Sequence, residues 1–259
     1  PKSRKASRCT INFLVDTSTL AVAPPSLTLK AGPVASTSQQ FGNESFVFNV
    51  LEDTTVPVAN NIASFSDLEI IEGTKVTQSF TYSAQDTNKR FILSNTGIDT
   101  DTILVQVRPS QTSTIKVKYD LSNSLIDQKV NDVLNSDSTV YFLQEVEDER
   151  YEVIFGDGIF GRALKDGNVV EISYLVCSGS SANRLSGFDF SGRLIYLENA
   201  IEKPITSGAS LVTSIEPSSG GSAIESVVSV KKYAPQVYGT QDRAITANDY
   251  EILIPNKIY

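Results

Sequence analysis

Short alternations of apolar and polar residues fill the chain from Ile11 to Tyr119. Phe46, Val47, Phe48 and Val50 form one apolar run, and Ile103, Leu104, Val105 and Val107 form another. Further on, Ile115, Val117 and Tyr119 alternate with Lys116 and Lys118. A period of two places apolar side chains on one face of a strand and polar ones on the other. Pro24-Pro25, Gly32-Pro33, Glu72-Gly73 and Asn95-Thr96-Gly97 punctuate the runs with residues that favour turns. The pattern predicts a β-rich module over residues 1–119, of sandwich or barrel-like type.

The period changes after that. Leu121, Leu125, Ile126, Val130, Val133 and Leu134 recur at spacings of three and four, which predicts one amphipathic helix over 121–134 with Ser124 as its N-cap. Strands follow at Val140–Leu143, Tyr151–Phe155 and Val169–Val176. Tyr151, Val153 and Phe155 are expected to share a face, as are Val170, Ile172, Tyr174 and Val176. Residues 120–205 therefore read as a helix-plus-strand module, and 206–259 as a separate C-terminal segment. The small polar stretches Ser178–Ser186 and Thr206–Ser222 read as linkers or mobile loops. The expected class is mainly β with a few short helices (α+β), multi-module, with antiparallel sheets.

Composition narrows the function. Hydrophobic residues make up 40% and charged residues 20% of 259 positions, too apolar a balance for a disordered chain. A net charge of -8 argues against nucleic acid as a partner, because phosphate binding needs a basic face. Lys2, Arg4, Lys5 and Arg8 form the one basic cluster, read as a solvated terminus or as an arm meeting an acidic surface. No apolar stretch reaches the length of a membrane span, so membrane insertion is not expected. Histidine is absent, which removes the commonest general base at neutral pH and the usual ligands of catalytic zinc. Cys9 and Cys177, far apart in sequence, read as buried free thiols.

Candidate chemistry is sparse. Gly156, Asp157, Gly158 and Gly161 lie in a Gly-Asp-Gly-Ile-Phe-Gly loop that follows a strand but lacks the Gly-Lys-Ser/Thr ending of a phosphate loop. It reads as a tight turn between strands. The acidic run Glu145, Glu147, Asp148, Glu149 and Glu152, broken by Arg150, lacks the order of a calcium loop and reads as a solvated connection. Asp99 and Asp101 are read the same way. A carboxylate pair for glycoside hydrolysis needs no histidine, but nothing in the sequence selects two of the many acids. Neither an enzyme nor a cofactor or metal site is expected.

The C-terminal part carries the densest motif. Gly220-Gly221-Ser222-Ala223-Ile224-Glu225-Ser226 leads through a turn at Tyr233-Ala234-Pro235 to Arg243-Ala244-Ile245-Thr246-Ala247-Asn248-Asp249-Tyr250. In this order the segment resembles the baseplate J-like family of contractile-tailed phages. The Val153–Gly161 strand and turn share the resemblance, and the N-terminal part does not carry it. Because the chain starts at Pro1 and stops at Tyr259 soon after the motif, a truncated fragment is expected. Thr246 and Asp249 stand three apart, the spacing of a capping box, and are candidate cap residues. Arg243 is placed to pair with Asp249 or Glu225. Local fold stabilisation accounts for most of the motif, and Tyr233, Arg243 and Tyr250 are the candidate subunit contacts.

The resemblance implies a structural, self-associating subunit of a tail baseplate. Such a protein joins other baseplate wedge proteins in a ring around the central hub, which rearranges when the sheath contracts. Its implied place is the virion tail baseplate, assembled in the host cytoplasm, and its hinges are expected at Ser178–Ser186 and Thr206–Ser222. The alternative is a β-rich adhesin or carbohydrate-binding module of a tail fibre or cell surface, suggested by the Thr/Ser-rich composition and ten tyrosines.

Overall fold

A computed structural model of the chain describes residues 3–20, 23–37, 44–86, 89–122, 126–127, 132–210, 212–240, 247 and 251. The N-terminal part holds β1 (Arg8–Asp16), β2 (Ser26–Leu29), β3 (Gly32–Ser36), β4 (Val47–Val50), β5 (Thr54–Ala59) and β6 (Ile62–Glu72). Then come β7 (Thr74–Thr81), β8 (Phe91–Ile92), β9 (Leu104–Arg108), β10 (Val117–Leu121), and the short β11 (Ile126–Asp127) and β12 (Asp132–Val133). The remainder holds β13 (Val140–Val146), β14 (Arg150–Phe155), β15 (Val169–Val176), β16 (Asp189–Phe190), β17 (Leu194–Glu198), β18 (Ile201–Ile205), β19 (Thr213–Ser214) and the helix α1 (Val227–Thr240). The protein is mainly β, as the alternation predicts.

Two large sheets divide these strands. The first runs β16-β3-β4-β6-β5-β2-β17-β18, with β1 paired to both β6 and β19. β6 is its spine, antiparallel to β1 along most of its length and to β4 and β5 at its two ends. Phe13 stacks on Phe65 at 4.7 Å between ring centres, and both are buried with Ile11, Leu27, Phe48 and Ile70. The second sheet runs β7-β15-β9-β10-β13-β14-β8 and is nearly barrel-shaped. Its pairings are antiparallel except for β10 with β13. Gln78 of β7 reaches the segment after β8, donating to Ser94 Oγ at 2.7 Å and accepting from the Ser94 N–H at 3.1 Å. Two side-chain hydrogen bonds thus stand where a β7–β8 ladder would close the barrel.

The barrel core confirms the expected faces, since Tyr151, Val153, Val170, Ile172 and Tyr174 are all buried in it. Strand membership also shows how the sheets are assembled. The first takes its strands from both ends of the chain and the second from residues 74–176, so sheet membership crosses positions 119 and 205.

Three expectations need correction. The helix over 121–134 is not formed at its described positions: Leu121 ends β10, and Ile126–Asp127 pairs antiparallel with Asp132–Val133. Ile126 and Val133 are register partners in that pair, and Leu121 is held beside Tyr141 by β13, so strand pairing overrides the helical spacing. Ser124 lies outside the described residues. Tyr233-Ala234-Pro235 is not a turn but sits inside α1. Pro235 lacks the N–H that would bond the carbonyl four residues back, yet its fixed φ is helical, and the helix continues through it. The stretches 178–186 and 206–222 are not free loops: short 3-10 structure, buried Ala182 and Leu185, and pairing to β1 hold them in place.

Candidate functional site

The structure brings together residues that the sequence leaves apart, at the junction between the sheets and the root of α1. The chain crosses between the sheets twice, at Glu72–Thr74 and at Val176–Ser178. Thr74 pairs with Val176, so the crossings lie side by side. Gly73 is in the left-handed half of backbone space, and a Cβ there would lie 2.9 Å from the Val176 carbonyl oxygen. Glu72, only 3% exposed, accepts from the Ser178 N–H with both carboxylate oxygens, at 3.0 and 3.3 Å. Burial pushes its pKa up, opposed by the Ser178 hydrogen bonds and the Arg4 charge.

Ser3–Arg8 lies across this junction as a strap. Its backbone pairs with the segment that leads to α1: Lys5 and Ser222 exchange N–H to carbonyl bonds at 3.1 Å each, and Arg8 and Ser219 do so at 2.8 and 2.9 Å. The other partner of the strap is the loop before β9. The Ala6 N–H donates to Asp99 at 3.0 Å, and Ser3 and Thr100 share a hydroxyl bond of 2.8 Å. Lys5 reaches Asp101 at 2.5 Å and Asp99 at 3.4 Å, and Arg8 lies 3.7 Å from Asp99. Beneath them Ala6 packs with Ile71, Leu175 and Cys177. Lys5 and Arg8 are therefore held by acids of the same chain rather than solvated, Arg4 donates to the Cys177 carbonyl at 3.4 Å, and Lys2 lies outside the described residues. Asp99 is fully buried, not part of a solvated connection.

Asn183 and Ser218 complete the root. Ser218, 1% exposed, accepts from the Leu185 N–H and donates to the Ala182 carbonyl through its hydroxyl, at 2.9 and 2.7 Å. Beyond Gly221 the Glu225-Ser226 pair caps α1. Ser226 Oγ accepts from the Ser229 N–H at 3.2 Å, and Glu225 accepts from the Ser229 hydroxyl at 2.8 Å. Val227, Val228, Tyr233 and Tyr238 are exposed on this helix, Tyr238 to 86%. Lys232 Nζ stands 5.1 Å from the centre of the Tyr233 ring. Of the predicted subunit contacts, Tyr233 is thus on the surface, while Arg243 and Tyr250 lie outside the described residues. So do the predicted cap residues Thr246 and Asp249.

The Gly156–Gly161 turn forms as expected. Asp157 accepts from the Ile159 and Phe160 N–H groups at 2.8 and 2.9 Å, and the Gly158 N–H donates to Gly161 at 3.0 Å. A Cβ on Gly156 would lie 2.3 Å from the Gly161 backbone, which explains the glycine. Ile159 and Phe160 are exposed at the tip. The acidic run divides: Glu147–Glu149 forms the tip of the β13–β14 hairpin, but Glu152 is buried against Arg90, which grips it through two hydrogen bonds of 2.9 and 2.5 Å.

Burial pushes the Cys9 and Cys177 thiols up to about 11 and the Tyr141 and Tyr151 hydroxyls up to about 12, so all four stay protonated at neutral pH. Among the described residues no group of three or more Cys, Asp or Glu is arranged to hold a metal ion, and no helix is long and apolar enough to cross a membrane. No family model and no curated protein matches the chain.

The sequence does not show the pairing of Lys5 and Arg8 with Asp99 and Asp101. Opposite charges about a hundred positions apart carry no register in a sequence. Gly220-Gly221 was the one legible clue, since paired glycines mark a close backbone approach.

Proposed function

We propose that the protein is a structural, non-enzymatic subunit of a contractile-tail baseplate. It self-associates and joins other wedge proteins in a ring around the hub that rearranges on sheath contraction. One observation carries the reading: a capped helix placed directly after the Gly220-Gly221 motif presents Val227, Val228, Tyr233 and Tyr238 to solvent. Exposed aromatic and aliphatic groups are the ordinary anchors of protein interfaces. Of these four, Tyr233 also belongs to the motif that carries the baseplate J-like resemblance.

The adhesin alternative draws on the tyrosine content. Tyr119, Tyr141, Tyr151 and Tyr174 are barrel core, so these four are spent on packing rather than on a sugar-binding platform. Light scattering behind size-exclusion chromatography over a wide concentration range tests the proposal. A closed species of two or more copies that dissociates on Tyr233→Ser or Tyr238→Ser supports self-association through α1. A strict monomer overturns it.

A further inference from the structure

We infer that Ser3–Arg8 is an electrostatic latch, which holds the barrel-like second sheet with its loops (residues 74–176, here the second module) against the first sheet (the first module) and through the same residues seats the root of α1. The inference is independent of the baseplate reading. The two crossings between the sheets lie side by side, with Thr74 paired to Val176 and Ser178 bonded to Glu72. Adjacent crossings form a hinge, because two neighbouring strands permit rotation about their common line unless contacts away from it resist. Among the described residues two sets of ionic contacts do so.

One is the pair Lys118–Glu52 at 3.0 Å, exposed on both sides and screened by salt. It spans a cleft of about 210 Å³ between Asn49–Glu52 of the first module and Ile103, Leu104 and Tyr174 of the second. A gap is the expected boundary between bodies that move.

The strap is the other. Its charges meet Asp99, which is fully buried, and Asp101, at distances from 2.5 to 4.0 Å. Its backbone is at the same time half of the pairing with Ser219 and Ser222. Loss of the ionic contacts therefore frees the hinge and unpairs the segment on which α1 stands. In the reverse direction, a load on α1 pulls Ser219 and Ser222 away from Arg8 and Lys5 and opens the modules. One short segment couples the two events, as a two-state element must.

The test uses spin labels on the intact chain, at Ser64→Cys in the first module and Thr112→Cys in the second. Both native thiols are buried. Electron–electron resonance reads the inter-module distances, and hydrogen exchange reads the Ser219 and Ser222 amides. Lys5→Glu is expected to broaden the distances and to speed exchange at Ser219 and Ser222 about tenfold, with Phe13 and Ile172 still protected. The double reversal Lys5→Glu with Asp101→Lys restores both readouts. Raising salt from about 0.05 to 0.5 M on the labelled protein with its charges intact shifts both in the same direction as Lys5→Glu, without a charge substitution. Distances and exchange unchanged by Lys5→Glu and by salt overturn the latch. Broadened distances with Ser219 and Ser222 still protected overturn the coupling to α1.

Discussion

The Asn183 side chain pairs with the backbone of Gly221 as another peptide unit would, Nδ2 donating to its carbonyl and Oδ1 accepting from its N–H, both at 2.9 Å. Oδ1 also accepts from the Ser7 hydroxyl at 2.8 Å, so one amide ties together the 178–186 stretch, the strap and the root of α1. Removing it leaves the Gly221 groups without these partners. Asn183→Ala is expected to cost about 1–3 kcal/mol in urea denaturation. Asn183→Asp keeps the acceptor but loses the donor and should fall between. Gly221→Ala should be the most damaging, because its Cβ would lie 2.3 Å from the Gly179 carbonyl oxygen.

The Gly156–Gly161 turn gives a sharper contrast. A methyl on Gly156 meets Gly161 backbone at 2.3 Å, whereas one on Gly158 meets only Ala163 Cβ, at 3.6 Å. Gly158 still has a positive φ of 90°. Gly156→Ala is therefore expected to cost about 2–4 kcal/mol, from overlap with backbone rather than with the movable end of a side chain. Gly158→Ala should cost about 1–2 kcal/mol, from backbone strain alone. Thermal unfolding of the two variants beside the unaltered protein checks the order.

Glu72 sets an unusual pH dependence. Its folded-state pKa lies above the ordinary value of 4.5, so the folded state binds the proton more tightly than the unfolded chain does. Its contribution is therefore fully present below the unfolded pKa and is lost as pH rises through the folded one. Relative to Glu72→Gln, the unaltered protein should gain stability as pH falls through that window. Urea midpoints of both proteins from pH 8 to 4 provide the measurement. A constant difference would mean that Glu72 does not titrate with folding.

How much of this was legible follows from the range of each interaction. Period-two alternation is local, so Tyr151, Val153, Val170, Ile172 and Tyr174 were placed on their buried faces from sequence alone. The spacing of Leu121 to Leu134 is equally local, yet it predicts the wrong element, because the partner of β10 is β13, beyond that segment, and the pairing of Ile126 with Val133 overrides the helical period. The junction was the least legible part. Arg8 meets Asp99, and Ser7 meets Asn183, across separations for which sequence offers no period and no motif.

If α1 is a contact surface, its exposed side chains should matter for association and hardly for folding. Tyr238 and Val228 are open to solvent. Tyr238→Ser and Val228→Ser are thus expected to change unfolding free energy by no more than about 0.5 kcal/mol. In a complex the same truncations weaken association by about 1 kcal/mol or more where the side chain is an anchor. Denaturation and light scattering on the same samples separate the two effects. A large loss of stability would mean that α1 packs on its own chain.

Arg90 and Glu152 provide the opposite sign to Glu72 within one molecule. The paired guanidinium holds the Glu152 carboxyl below its ordinary 4.5, so here the folded state releases the proton more readily than the unfolded chain. This contribution is present above the unfolded pKa and is lost as pH falls through the folded one, a window lower than that of Glu72. Arg90→Gln removes the charge that depresses the pKa, so the loss of stability on acidification should flatten in the variant. Arg90→Lys keeps the charge without the two-pronged geometry and should retain part of the slope. Urea midpoints between pH 6 and 3 distinguish the three proteins. Equal slopes in all of them would assign the acid limb to other carboxylates and leave the Arg90 grip with a packing role.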